Sequence, residues 1–178
     1  MTALGDRLTI RPAEPADLHS VADIYNAGIA ERVATFETAP RTVDDIKSWI
    51  EDGQPFIVAV EDGQVVGWAR AGSYSDRCVY NGVGEHAVYV DPDARGRGLG
   101  KKLLIDLCAE SERRGLHKLT SRLFPENEPS RAAHRAAGFD EIGIQRRHAR
   151  LDGQWRDVVL VERLLGDAAM PSADEGPS

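Results

Sequence analysis

A chain of 178 residues, 42% of them hydrophobic, suits one domain with a single core. Its formal charge of −7 argues against a nucleic-acid partner, no stretch nears the roughly 20 apolar residues that span a bilayer, and residues 1–11 lack the apolar run of a secretory signal. Two cysteines, Cys78 and Cys108, make neither a disulfide framework nor a metal-ligand pattern, so the composition points to a cytoplasmic protein with no membrane partner and no metal.

Leu8-Thr9-Ile10-Arg11 reads as a first strand. Pro15 suits the first turn of a helix whose inner face carries Leu18, Val21, Ala22, Tyr25 and Ile29. Residues 31–41 form a loop that contains Thr35-Phe36-Glu37, and Thr42 with Asp45 makes a capping box for a short helix bearing Ile46, Trp49 and Ile50. The apolar runs 56–60 and 65–69, joined at Asp62-Gly63, predict a β-hairpin. A polar loop, 73–82, leads to a strand over 85–90. The next helix carries Leu99, Leu103, Leu104, Leu107 and Cys108 on one face and stops at Gly115. Lys118–Leu123 is a further strand, 128–137 a short helix closed by Gly138, and strands near 142–150 and 155–163 meet at the turn Asp152-Gly153. From Gly166 onward few residues are apolar, which predicts one domain over 1–165 and a disordered tail over 166–178. The order βααβββαβαββ predicts an α/β fold with a mixed sheet.

The richest segment is Arg95-Gly96-Arg97-Gly98-Leu99-Gly100-Lys101, between the strand Val88-Tyr89-Val90 and the helix after it. A glycine-rich turn there exposes several backbone N–H groups in one direction, with the positive end of the helix dipole behind them. Arg95, Arg97 and Lys101 add charge, so the segment reads as a pyrophosphate cradle. A magnesium-nucleotide loop would need Ser or Thr after its lysine, whereas Lys101 is followed by Lys102. A dinucleotide fingerprint would need a different glycine spacing near the start of a βαβ unit.

The pattern Arg95, Gly98, Gly100, flanked by Val88-Tyr89-Val90 and by Asn127, Ser130, His134 and Gly138-Phe139, resembles the acyl-CoA loop of the GCN5-related N-acetyltransferases. The resemblance implies a central sheet splayed at an acetyl-CoA site and flanked by helices, with acetyl-CoA as cosubstrate. The pantetheine arm would pair with the backbone at Val88, Tyr89 and Val90, and the pyrophosphate would sit on Gly96, Gly98, Leu99 and Gly100. That brings the thioester near Glu85, either a general base or a solvated strand-end carboxylate. His134 is either a proton relay or a packed histidine, and Asn127 and Ser130 are either ligand contacts or helix caps.

A narrower resemblance, to the phosphinothricin N-acetyltransferase family, spans most of the chain. It rests on Ala34-Thr35-Phe36-Glu37, Tyr80-Asn81, Glu85-His86-Ala87-Val88-Tyr89-Val90, Asn127-Glu128-Pro129-Ser130 and Gly153-Gln154-Trp155-Arg156-Asp157. It implies α-amine acetylation of compact amino acids with an anionic or tetrahedral side-chain group, among them phosphinothricin, methionine sulfoximine and methionine sulfone. Thr35-Phe36-Glu37 and Arg77…Tyr80 look close to the subgroup that acts on arsinothricin. In that setting Arg77 suits a bidentate oxyanion contact, Tyr80 and Thr35 supply hydroxyl donors, and Phe36 is an apolar wall. Val88 borders the substrate, and Trp155 falls in the region that meets the partner subunit of a homodimer. The competing readings are a protein or peptide N-acetyltransferase, a non-catalytic acetyl-CoA-binding module and a phosphotransferase.

Overall fold

The computed structural model describes residues 7–171. A seven-stranded sheet in the order β1-β2-β3-β4-β5-β7-β6 organises them. The strands are β1 (Leu8–Pro12), β2 (Phe56–Glu61), β3 (Gln64–Ser73), β4 (Val83–Val90), β5 (Lys118–Leu123), β6 (Asp140–Leu151) and β7 (Gln154–Leu164). Every neighbouring pair is antiparallel except β4 and β5. The helices are α1 (Leu18–Glu31), α2 (Val43–Ile46), α3 (Ser48–Glu51), α4 (Leu99–Arg113) and α5 (Glu128–Ala136).

Alternation along the strands sends side chains to two cores. Ala69 and Ala71 of β3 and Leu119 of β5 face the buried leucines of α4, Leu99, Leu103, Leu104 and Leu107. On the other face Trp68 of β3 packs with Leu18, Val21 and Ile24 of α1 and with Ile46, Phe56 and Val58. Trp68 stacks on Tyr89 at 5.0 Å and meets Tyr25 and Trp49 at 5.7 and 5.4 Å. Full burial of each such apolar side chain is worth about 1.5–3 kcal/mol, so β3 and β4 are held firmly from both sides.

Several local signals act as expected. Thr42 and Asp45 exchange both capping-box bonds, and the hairpin turns place Asp62 and Gly63 at φ 50° and 79°, and Asp152 and Gly153 at φ 48° and 79°. Three differ. Pro15 opens a 3₁₀ turn (Pro15–Asp17) rather than α1, because buried Asp17 is gripped by Arg11 at 2.8 and 2.9 Å and accepts from the Glu14 N–H. The helix expected after Thr42 is two short ones, with Lys47 between them. Gly166–Ala169 form a 3₁₀ turn anchored by buried Leu165, whereas the composition predicts a disordered tail from Gly166; residues 172–178 of that tail lie outside the described residues.

Candidate active site

The sheet opens at the β4–β5 seam, the one parallel pair among the described residues. β4 and β5 pair at Val83 with Lys118, Gly84 with Leu119 and Glu85 with Thr120, and no further. Beyond Glu85, β4 stays with β3 as far as Val90, while β5 stays with β7 as far as Leu123. The two strands therefore part in a V. A groove of about 670 Å³ fills the gap, with Val88, Tyr89 and Val90 on one wall and Ser121, Arg122 and Leu123 on the other.

The glycine-rich turn closes one end of this groove. Gly96 and Gly98 both adopt φ 79°, and Gly98 is the N-cap of α4. This left-handed backbone favours glycine, and it turns the first N–H groups of α4, which have no partner within the helix, toward the groove. Gly100 lies against α5, where an added Cβ would meet Ala133 at 3.7 Å and Val90 at 3.9 Å. The arginines serve differently from expectation. Arg97 makes a bidentate pair with Glu61 at 3.0 and 2.8 Å and lies outside the groove lining, where the sequence predicts a ligand cation. Arg95 lines the groove, but both of its terminal nitrogens bind Glu31 at 2.9 Å and its Nε donates to the Val90 carbonyl. Both guanidinium groups brace the turn, which leaves backbone N–H groups, the helix dipole and Lys101 to face an anion.

A second cavity, of about 290 Å³, lies on the α1 face of the sheet. It shares Ala34, His86, Ala87, Tyr89, Ser121 and Arg122 with the groove, so the two spaces meet at the splay. Thr35, Phe36 and Glu85 line it, as do Glu37, Arg70 and Arg122. The Glu85 side chain is 48% exposed, and its Oε2 lies 3.5 Å from the Arg122 guanidinium. Phe36 packs edge-on against Phe124 at 4.9 Å and forms an apolar wall. The Thr35 hydroxyl accepts from the Glu37 N–H at 3.1 Å. Burial raises the Tyr25 and Tyr89 phenols above their ordinary pKa, so both are neutral at the edge of the site.

A family model for the acetyltransferase (GNAT) family matches residues 21–139, an interval that contains the groove, the glycine turn and Glu85. The chain belongs to the GNAT acetyltransferase family. Membership makes it an acetyl-CoA-dependent N-acetyltransferase. The L-methionine sulfoximine/L-methionine sulfone acetyltransferase of Salmonella typhimurium is 31% identical over 170 residues, 93% of this chain and 99% of its own. A GNAT phosphinothricin acetyltransferase from Sinorhizobium meliloti, solved in complex with acetyl-CoA, superposes with TM-score 0.85 at 31% identity, over 96% of this chain and 95% of that one. A ribosomal-protein-alanine N-acetyltransferase from Brucella melitensis reaches TM-score 0.84 at 33% identity, over 88% of this chain and 99% of that one.

In this GNAT chain the predicted residues beyond Thr35, Phe36, Glu85, Arg95 and Arg97 divide into two groups. Val88, Tyr89, Val90, Gly96, Gly98, Leu99, Gly100, Lys101, Asn127, Ser130 and His134 converge on the groove. Asn127 also caps α5, its Oδ1 accepting from the Ser130 N–H at 3.3 Å. Arg77, Tyr80 and Trp155 line neither cavity. Arg77 sits over the Tyr80 ring at 5.5 Å in an exposed loop, and Trp155 is 52% exposed beneath Arg150 on the last hairpin.

His134 is buried, and its two ring nitrogens are both engaged. Nδ1 lies 2.7 Å from the Ser130 carbonyl, which accepts only, so Nδ1 carries the proton. Nε2 lies 2.9 Å from Nε2 of His86, also buried. With Nδ1 protonated on a neutral His134, its Nε2 accepts and His86 Nε2 donates. Burial drives both imidazoles below their ordinary pKa, and the neighbouring His134 lowers His86 further. The pair ties β4 to α5 at the floor of the groove, in line with the packed-histidine alternative.

The sequence assigns no role to Arg70 or Arg122, and Glu37 and His86 stand there only as members of the family motifs. A signal existed for Arg70, which interrupts the apolar run Trp68-Ala69-Arg70-Ala71, whereas Arg122 follows the polar pair Thr120-Ser121 and carries none.

Proposed function

We propose that this GNAT enzyme acetylates the α-amine of a compact amino acid whose side chain ends in a tetrahedral oxygen-bearing group, of the phosphinothricin, methionine sulfoximine, methionine sulfone or arsinothricin kind, and so inactivates a toxic analogue. The observation that carries this reading is Glu85 at the mouth of a small, arginine-lined cavity that meets the groove at the splay. A space of about 290 Å³ suits a free amino acid.

Acetyl-CoA supplies the acetyl group as a thioester. The glycine turn holds its pyrophosphate, and the unpaired backbone edge of Val88, Tyr89 and Val90 holds its pantetheine as an added strand would. Glu85 takes a proton from the acceptor's ammonium. The freed nitrogen attacks the thioester carbon, a C–N bond forms and the C–S bond breaks. The remaining excess proton on nitrogen passes to the leaving sulfur, through Glu85 or water. Fixing both reactants across one splay supplies up to about 7–11 kcal/mol of the barrier reduction. Its use of acetyl-CoA, a metabolite of the cell interior, supports a cytoplasmic place for the enzyme. A second copy of the chain would cover the edge strand β6, where Ile142 and Ile144 are 51% and 62% exposed, together with Trp155; a monomer by sedimentation velocity would remove that element.

The deciding experiment is thiol release from acetyl-CoA with phosphinothricin, arsinothricin, methionine sulfoximine, methionine sulfone and an alanine-initiated peptide. Turnover on the free amino acids, and a fall in kcat of about 10²–10⁴-fold in Glu85→Gln with acetyl-CoA affinity kept, is the expected result. Activity on the peptide alone would favour the second reading, a protein N-acetyltransferase, which the Brucella melitensis neighbour supports.

A further inference from the structure

Arg70, Glu85 and Arg122 sit side by side on one face of three adjacent strands. Arg70 pairs with Ala87 in the β3–β4 register, Gly72 pairs with Glu85, and Glu85 pairs with Thr120, two residues before Arg122. Period-two alternation puts all three side chains on the α1 face, with Glu85 in the middle. Charged groups there are costly unless paired, and the partners of each arginine are incomplete.

Arg70 is held rigidly. Its side chain is only 16% exposed, one terminal nitrogen binds Asp52, and its guanidinium lies 5.0 Å from the Trp49 ring centre. Its Nε is buried and donates to nothing. The guanidinium also rests over Gly72, where an added Cβ would meet Nη1 at 2.8 Å. The missing side chain at Gly72 thus lets the cation lie beside the position paired with Glu85. Arg122 is fixed by donating Nε to Gln145 at 3.0 Å, and it reaches Glu85 only at 3.5 Å. That long contact is easily exchanged for a better anion.

We propose that Arg70 and Arg122 form a two-point anion clamp around the acetyl acceptor, Arg122 taking the carboxylate beside the amine and Arg70 the oxyanion at the far end of the side chain. The assignment follows from position. The amine must reach both Glu85 and the splay, and its carboxylate is one carbon away, which is where Arg122 stands on β5. The side chain then runs over β4 toward β3 and ends at Arg70. β3 and β5 lie roughly 10 Å apart across β4 where the three strands pair, and the wider gap at Arg122 is spanned by two long guanidinium side chains that both line the cavity. When the carboxylate engages Arg122 it also displaces Glu85 from its guanidinium contact, freeing Glu85 to accept the ammonium proton. The clamp rests on the amino-acid reading above and selects within it: acceptors with two anionic groups are preferred over those with one.

The test compares phosphinothricin, whose phosphinate is anionic, with methionine sulfone, whose sulfone is neutral, at saturating acetyl-CoA. The wild type is expected to favour phosphinothricin in kcat/KM. Arg70→Gln should lower kcat/KM for phosphinothricin about tenfold or more, through KM, and that for methionine sulfone less than about threefold. Arg122→Gln should raise KM for both. Should Arg70→Gln fail to fold, Arg70→Lys, which keeps the charge but lacks the Nε–H, makes the same comparison. Equal losses on both substrates in the Arg70 variant, or no wild-type preference, would overturn the clamp and leave amino-acid acetylation standing. Wild-type turnover of the peptide but of no amino acid would overturn both.

Discussion

The histidine pair makes stability depend on pH in a direction that the structure fixes. Both rings are buried, neutral and lowered from the ordinary 6.5. In the unfolded chain they titrate near that ordinary value, so below it the unfolded state binds protons that the folded state refuses. The stabilising contribution is therefore present above about pH 6.5 and is lost as the pH falls toward the folded-state values. Each ring contributes a slope of up to about 1.4 kcal/mol per pH unit, and the two together about 2.7. The carboxylates held by arginines, such as Asp17, Glu110 and Glu141, have lowered folded pKa values and lose stability only at or below the ordinary carboxylate range. The window from pH 6.5 to 5 thus isolates the histidines. Urea unfolding followed by far-ultraviolet circular dichroism at half-unit steps should show a falling free energy there. In His86→Phe, which keeps a ring against Phe139 at this site, the slope should be about half. A flat profile, or a gain on acidification, would refute the assignment of two neutral buried imidazoles.

Two glycines give contrasting expectations. Gly98→Ala adds a Cβ with nothing within 4 Å, so its cost is the φ of 79° alone, about 1 kcal/mol; acetyl-CoA KM should rise while kcat stays near wild type in steady-state assays. Gly28→Ala would press a Cβ to 2.7 Å from the Tyr89 ring, an overpacking worth about 1–3 kcal/mol. It should lower the melting temperature and, by shifting β4, weaken acetyl-CoA binding measured by calorimetry.

The groove was largely legible because its signals are local. Glycines at 96, 98 and 100 between a strand and a helix fix backbone geometry within a few residues, and the Asn127 cap lies next to the helix it starts. What could not be read is pairing over long sequence distance. Arg95 and Arg97 look like ligand cations until Glu31 and Glu61, 64 and 36 residues away, are seen to hold them. His86 and His134 are 48 residues apart. Which arginines line the cavity was not legible for a related reason. Arg77 sits in a loop whose direction no periodicity reports, whereas Arg70 and Arg122 sit in strands, where a lone charge reads as solvent-facing until the splay turns that face into a cavity.

The short β4–β5 register means that the folded chain keeps one seam unzipped. Past Glu85 the peptide groups on the facing edges of β4 and β5 form an internal sheet edge, the kind of surface that proteins otherwise cover or cap. In the proposed binding mode the missing strand is supplied from outside, each time the cosubstrate docks, and leaves again as product. The resting and loaded forms therefore differ in how complete the sheet is, and by mass action the fold tightens with cosubstrate concentration. In that mode acetyl-CoA serves as an eighth element of the architecture, and the seam it fills is the line along which the chemistry is proposed.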